Sequence, residues 1–357
     1  MKYLSTIISL IIAGSVFGQD IYWTGNRDAW GGGDHNNFST EPGGTEYVRL
    51  YGSDNAPEPQ VFHHHYDENV LAQPELNVSM NRIGQTILSM NITSATPDSG
   101  FRFDTTEENS VDIVLSGPVN VHSGIHNAFN AGGIAGITLT QDAVWTVAEG
   151  AKMTWRIPLP GLTGGESLTK NGGGTLLLNG MTTGYTGQTL VNEGSFGGSA
   201  TLSGTLHFAA GTNYSFSPFA TTVVNGTVSF DSFGIENVDN LSADSALGTY
   251  PIMTGNVNTA NLRNLGEANA VDLGDDIRAW FDLTGDVLSL VVNAPAMWAH
   301  FPIVNEIGDV DTGGLMGWIN VSHGDWVYSY DFGTWVHLPE ERVILGLGAW
   351  GLVMEGN

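Results

Sequence analysis

The chain has no cysteine in 357 residues. That removes disulfides and thiol chemistry, so hydrogen-bond ladders and stacked apolar side chains must hold the fold. Bases are scarce, with 11 Lys and Arg against 37 Asp and Glu and a formal charge of −26. Such a balance excludes nucleic acid and anionic lipid as partners. It leaves two readings of the acidity, a solvated surface suited to a salty medium or capture of cations. Only 13% of the residues are charged, which excludes a disordered polyelectrolyte. Helical periodicity is nearly absent, since no useful window spaces apolar residues by three and four. There is no G-x-S-x-G nucleophile motif either. After the first 18 residues, no apolar run is long enough to span a membrane.

What is present is glycine, 48 residues of it, and 41% hydrophobic residues. That combination points to a turn-rich β-protein. Short β-branched and apolar runs recur between Gly, Asn, Asp and Ser, among them 113–117, 137–140, 175–180, 202–208 and 228–230. Asn-Gly pairs at 171–172, 179–180 and 225–226 predict turns. Many short strands allow a sandwich, a barrel or a solenoid. The succession of alternating strands with Gly or Asn at each corner over 168–208 favours the solenoid, with on the order of ten coils.

The first residues read as a secretory signal peptide, 1–18. Lys2 is the basic start, Ile7 to Ala13 the apolar stretch, and cleavage is expected after Gly18. Composition shifts near Pro295, where a Ser/Thr/Asn/Gly-rich chain becomes aromatic. The expected organisation is therefore a β-solenoid over 19–296 and a small β module over 297–357.

The segment 167–196 resembles the autotransporter-associated β-strand repeat. Leu168, Lys170, Gly172, Gly174, Leu176, Leu178, Gly180, Tyr185, Gly187, Thr189, Val191, Gly194 and Phe196 all stand in that pattern's register. Leu190 departs from it, in a slot that is more often small and polar. The resemblance implies a right-handed parallel β-helix of the passenger type, with Leu176 and Leu178 inward, glycines at the corners, and Tyr185 capping an apolar edge with its hydroxyl in solvent. The opening Trp23-Thr24-Gly25, Trp30 and Asn37-Phe38 resembles the start of exported β-helical proteins. There the aromatics either cap the first coil or form a carbohydrate platform. Segments 250–253, 262–266, 278–281 and 288–292 look like the closing coils of such passengers. No strand set after Pro295 is long enough for a membrane barrel, so the chain resembles a passenger without a translocator.

The C-terminal stretch carries Trp298, Trp318, Trp326, Trp335 and Trp350. It resembles an aromatic-rich module of surface proteins from Verrucomicrobia-type bacteria. Two readings stand for Trp318, Trp326 and Trp335. They contact a glycan or the cell envelope, or they form the core of a small domain.

Local chemistry is thin. His63 and His65 are the strongest metal-like pair, but zinc needs three or four converging ligands and no second cluster has partner spacing. His122 and His126 have the i,i+4 spacing of a zinc helix without its glutamate, in a stretch that reads as strand. Glu107-Glu108, Asp275-Asp276 and Glu340-Glu341 are adjacent pairs, which on a strand face opposite sides and so form no glycosidase dyad. Asp309-Val310-Asp311 is too short for a calcium loop. The Asn-x-Ser/Thr sites at Asn77 and Asn91 read as turn chemistry. Expected, then, is an exported surface, matrix or periplasmic protein that is not an enzyme and holds neither metal nor cofactor. Its partners would be envelope components or extracellular glycans. The alternative is a polysaccharide-binding or polysaccharide-degrading protein on the same scaffold.

Overall fold

The computed structural model describes residues 19–23, 29–30, 38–39, 41–42, 61–66, 75–80, 85–94, 100–104, 112–129, 136–156, 162–180, 184–294, 297–298, 301–303, 308–312, 317–338 and 353–354. The expected signal segment, Glu107-Glu108 and Glu340-Glu341 lie outside these residues. The described chain is all-β with parallel sheets, and its helical content is two short 3-10 turns, Ile235–Asn237 and Glu267–Asn269. Among the described residues no helix is long and apolar enough to cross a membrane. The chain divides into two compact units. The first comprises 1–240, 250–263 and 283–289, and the second 241–249, 264–282 and 290–357.

In the first unit the chain advances three strands at a time. Asp112–Leu115, Val119–Val121 and Ile125–Phe129 pair in parallel with Gly136–Leu139, Ala143–Val147 and Lys152–Arg156. Those pair in turn with Leu162–Gly164, Leu168–Asn171 and Thr175–Asn179. The next set is Gly184–Tyr185, Gln188–Val191 and Ser195–Gly197. One flank runs through the unit as a nine-stranded sheet whose strand pairings are all parallel. Parallel neighbours with short connections need stacked turns of chain rather than hairpins, so this pairing is consistent with a β-helix-like fold.

The alternation of side chains builds the core. Leu168, Leu176, Leu178, Val191 and Phe196 are all fully buried, and the burial pattern of Gln188–Val191 turns Thr189 and Val191 inward with Leu190 half-buried. In-register pairing then makes columns. Met153, Leu176, Phe196 and Tyr214 follow one another, as do Trp145, Lys170, Val191, Phe208 and Phe230. The Trp145 and Trp155 rings lie 5.3 Å apart, Phe208 stacks on Phe230 at 5.7 Å, and Phe230 meets Phe233 at 4.8 Å. Each such buried ring contributes about 1.5–3 kcal/mol by removal from water. Parallel in-register stacking also aligns polar groups. Asn120 donates to Asn91 at 2.9 Å and Asn192 donates to Asn171 at 3.0 Å.

Four expectations are corrected here. Tyr185 is 1% exposed rather than open to solvent. Its hydroxyl donates to the Gln188 carbonyl at 2.6 Å and accepts from the Leu168 N–H at 3.0 Å, tying two coils together from inside. Burial raises its pKa above the ordinary phenol value. Second, Asn225-Gly226 is no turn, for it lies within the strand Thr222–Phe230 at a register shift between Val223 and Thr227. Third, the glycines do more than turn corners. Gly172, Gly180 and Gly194 do have positive φ, at 77°, 65° and 66°. Gly187, Gly204 and Gly226 instead form a stacked line. A Cβ on each would meet the carbonyl oxygen of Glu166, Gly187 and Gly204 at 1.8, 1.8 and 2.4 Å. Fourth, Asn77 and Asn91 occupy the strands Glu75–Met80 and Gln85–Ile92 rather than turns.

Lys170 is the least expected member of the core, because a lysine is fully buried there. Its Nζ donates to the carbonyls of Asn171 at 3.2 Å, Glu193 at 2.8 Å and Gly172. Burial pushes its pKa down to about 8, opposed by the Glu193 carboxylate. That carboxylate also accepts the Gly172 N–H at 2.7 Å, so one cation and one anion fix two successive corners.

The described strand pairs of the second unit are antiparallel, beside one parallel bridge between Leu265 and Phe281. Val271–Gly274 and Ile277–Thr284 make a hairpin whose tip, Asp275-Asp276, has φ of 51° and 60°. Five strands, Asp309–Asp311, Trp318–His323, Trp326–Ser329, Thr334–His337 and Val353–Met354, form an antiparallel sheet. Its core is Trp298, Val310, Ile319, Val321, Val327, Val336 and Leu338, with Phe301 and Ile303 against it.

Candidate functional site

The antiparallel sheet has an outward face that follows from the pleat. Ile319, Val321, Val327 and Val336 are buried, so the residues between them face the other way. Those residues are Trp318, Asn320, Trp326, Tyr328, Trp335 and His337. Trp318 is 45% exposed and Trp335 36%, while Trp326 is half-buried. Trp298 belongs to the buried core of this sheet, and Trp318, Trp326 and Trp335 are not among its members.

Register assembles the face. Asp309 sits opposite Asn320, Asn320 opposite Tyr328, and Tyr328 opposite Trp335. Trp326 sits opposite His337. Ring centroids are 5.3 Å apart for Tyr328 and Trp335, 4.8 Å for His323 and Trp335, 5.0 Å for Trp326 and His337, and 5.4 Å for Tyr328 and Tyr330. All four pairs are edge-on, so each ring holds its neighbour's orientation. One carboxylate oxygen of Asp309 accepts from Asn320 Nδ2 at 2.8 Å and from the Tyr330 hydroxyl at 2.7 Å. The bond to Asp309 raises the Tyr330 pKa, and the phenol stays a donor at neutral pH. The result is a continuous aromatic surface with a fixed polar border.

The other candidates separate. His63 and His65 occupy alternate positions of the strand Val61–Tyr66, opposite Ser89 and Asn91, and their side chains lie outside the described residues. His122 is exposed, whereas His126 is fully buried in strand Ile125–Phe129 with its Nε2 donating to the Ser123 carbonyl at 2.6 Å. Burial lowers the His126 pKa to about 4 against the pull of that bond. The two histidines therefore do not share a site. Among the described residues no group of three or more His, Asp or Glu could hold a metal ion. Ser229, His207 and Asp231 form a hydroxyl–imidazole–carboxylate chain with distances of 2.9 and 3.4 Å. Register places Ser229 directly beside His207, and the Asp231 side chain is 55% exposed. That is the geometry of a cross-strand polar ladder on a wet flank.

Tyr328, Tyr330, His323 and His337 were not singled out by the sequence. Tyr328 and Tyr330 share the parity of Trp326, and His337 that of Trp335, against Val327 and Val336, whereas His323 has the parity of buried Ile319 and Val321 and joins the face through the register shift between Asn320 and His323. Compared with protein-family models, with curated proteins and with solved structures, the chain matches none.

Proposed function

We propose that this is an exported, non-enzymatic surface or matrix protein, in which a right-handed β-solenoid carries an adhesive aromatic module. The observation that carries the reading is the outward placement of Trp318, Trp326 and Trp335 on a sheet whose core is complete without them. Flat aromatic surfaces stack on the apolar faces of sugar rings, and Asp309 fixes the polar border of this one by accepting from Asn320 and Tyr330. The net charge of −26 directs this face toward glycans or envelope components rather than polyanions. Two experiments test the reading. In fractionated native cells, replacing Trp318, Trp326 and Trp335 by alanine should release the protein from the envelope or matrix fraction. In a glycan-binding screen the same replacements should remove the wild-type signals. Unchanged retention together with an unchanged screen contradicts the proposal.

A second reading, polysaccharide degradation, has one observation in its favour. Asp309 and Asp311 alternate on one strand opposite Asn320 and Trp318, which puts their backbones roughly 7 Å apart by strand rise. Release of reducing ends that stops in Asp309→Asn would establish it.

A further inference from the structure

The first unit carries a second binding feature on its nine-stranded flank. A groove of about 560 Å³ crosses the successive coils that contain Lys152, Leu177, Ser199 and Ser215. Three steps between coils span roughly 14 Å. We propose that this groove binds an extended, uncharged saccharide chain.

The lining is of the right chemistry. Asn179, Ser199, Ser215, Ser217 and Asn240 supply amides and hydroxyls. Asn179 Oδ1 accepts from the Ser199 N–H at 3.0 Å, which fixes its carboxamide and leaves the NH2 group as donor. Gly180 and Gly198 also line it, and a Cβ at Gly198 would sit 2.2 Å from the Leu178 carbonyl oxygen, so the two coils approach closely there.

The rim holds Phe219, which is 96% exposed. It stands at the tip of a turn, Ser217-Pro218-Phe219-Ala220, closed by the Ala220 N–H on the Ser217 carbonyl at 3.1 Å. Proline at the second position presets that turn. Both ends of the loop are anchored. Phe216 is buried edge-on against Tyr250 at 5.4 Å, and Thr221 Oγ1 donates to the Pro251 carbonyl at 2.8 Å. A wholly exposed phenyl on so fixed a turn is a preorganised stacking platform, since little entropy remains to be lost when a ring packs on it.

Charge selects the occupant. Among the described residues that line the groove, Lys152 is the one that carries charge. A single cation on a chain of net charge −26 does not recruit a polyanion, but its ammonium can donate to sugar hydroxyls.

The test is calorimetric titration of the full chain with neutral β-linked hexasaccharides of glucose, mannose and xylose, and with an oligouronate as the anionic arm. At least one neutral hexasaccharide should bind. Phe219→Ala should weaken it roughly three- to tenfold with an unchanged melting temperature. Measuring a Trp318→Ala, Trp335→Ala chain alongside separates this groove from the aromatic face. Loss in Phe219→Ala but not in that chain supports the groove. Loss in the double variant with Phe219→Ala unaffected overturns it and leaves the aromatic face standing. No binding by any neutral hexasaccharide, or tighter binding of the oligouronate, also overturns it.

Discussion

The parallel coils and the antiparallel sheet use aromatic residues in opposite directions. In the coils Trp145, Trp155, Tyr185, Phe196 and Tyr214 are among the largest side chains buried to below 2% exposure. In the sheet Trp318, Tyr330, Phe332 and Trp335 are exposed, and valine, isoleucine and leucine supply most of the core. The difference follows from what each architecture has to fill. A stacked coil encloses its own interior, and in-register columns favour large flat rings that lie over one another. A sheet covered on one side needs only a thin layer of branched side chains. Its exposed aromatics, unlike the buried Trp298, stand outside that core, and that is the physical ground for giving them a binding role.

The comparison breaks most severely at the stacked glycines. Gly187→Ala places a Cβ 1.8 Å from a backbone oxygen of the coil below, and should cost on the order of 4 kcal/mol or prevent folding. Gly333, in a turn of the antiparallel sheet, has φ of 63° and nothing within 4 Å of the added atom. Gly333→Ala should cost about 1 kcal/mol of backbone strain, and denaturant midpoints of the two variants give the contrast. Next comes the inward column. Phe208→Ala removes a ring packed on Phe196, Phe230 and Phe233 and should cost about 3–5 kcal/mol in the same assay.

A pH scan sharpens the picture of the coil interior. The folded-state pKa of His126, about 4, lies below the ordinary imidazole value of 6.5. Its contribution is therefore fully present above pH 6.5 and is lost as pH falls toward 4, by about 3 kcal/mol. Subtracting the stability profile of His126→Gln should isolate that slope, and identical profiles would refute it. The smallest effect belongs to the sheet. Trp335→Ala should lower stability by less than about 1 kcal/mol, since only edge contacts to Tyr328 and His323 go, while glycan retention falls.

How much of this was legible in the sequence depends on range. Leu176 and Leu178 facing inward could be read from strand alternation alone, and so could positive φ at Gly172 and Gly180 from the Asn-Gly pairs. Gly226 could not, because its reason is the carbonyl of Gly204 on the preceding coil. Tyr185 went wrong for the same cause. A phenol usually keeps its hydroxyl wet, and only the stacked coil supplies Leu168 N–H and the Gln188 carbonyl as buried partners. For Lys170, nothing local in the sequence says that three carbonyls await its ammonium. At the candidate site, Trp318, Trp326 and Trp335 were picked out while core and contact remained equal readings. What places these side chains outside the core is the buried set Val310, Ile319 and Val336, gathered from three strands and so not visible in any one of them. The groove beside Phe219 was not legible at all, because its walls come from five coils.

Hydroxyl-radical footprinting of the full chain, with and without a glycan selected in the binding screen, tests the central claim most directly. Without glycan, Trp318, Trp335, Tyr330 and Phe332 should oxidise readily, while Trp145, Trp155, Tyr185 and Tyr214 stay protected. With glycan, the first group should become protected and the second should not change. Equal oxidation of both groups without glycan, or an exposed group that no glycan shields, would contradict the account.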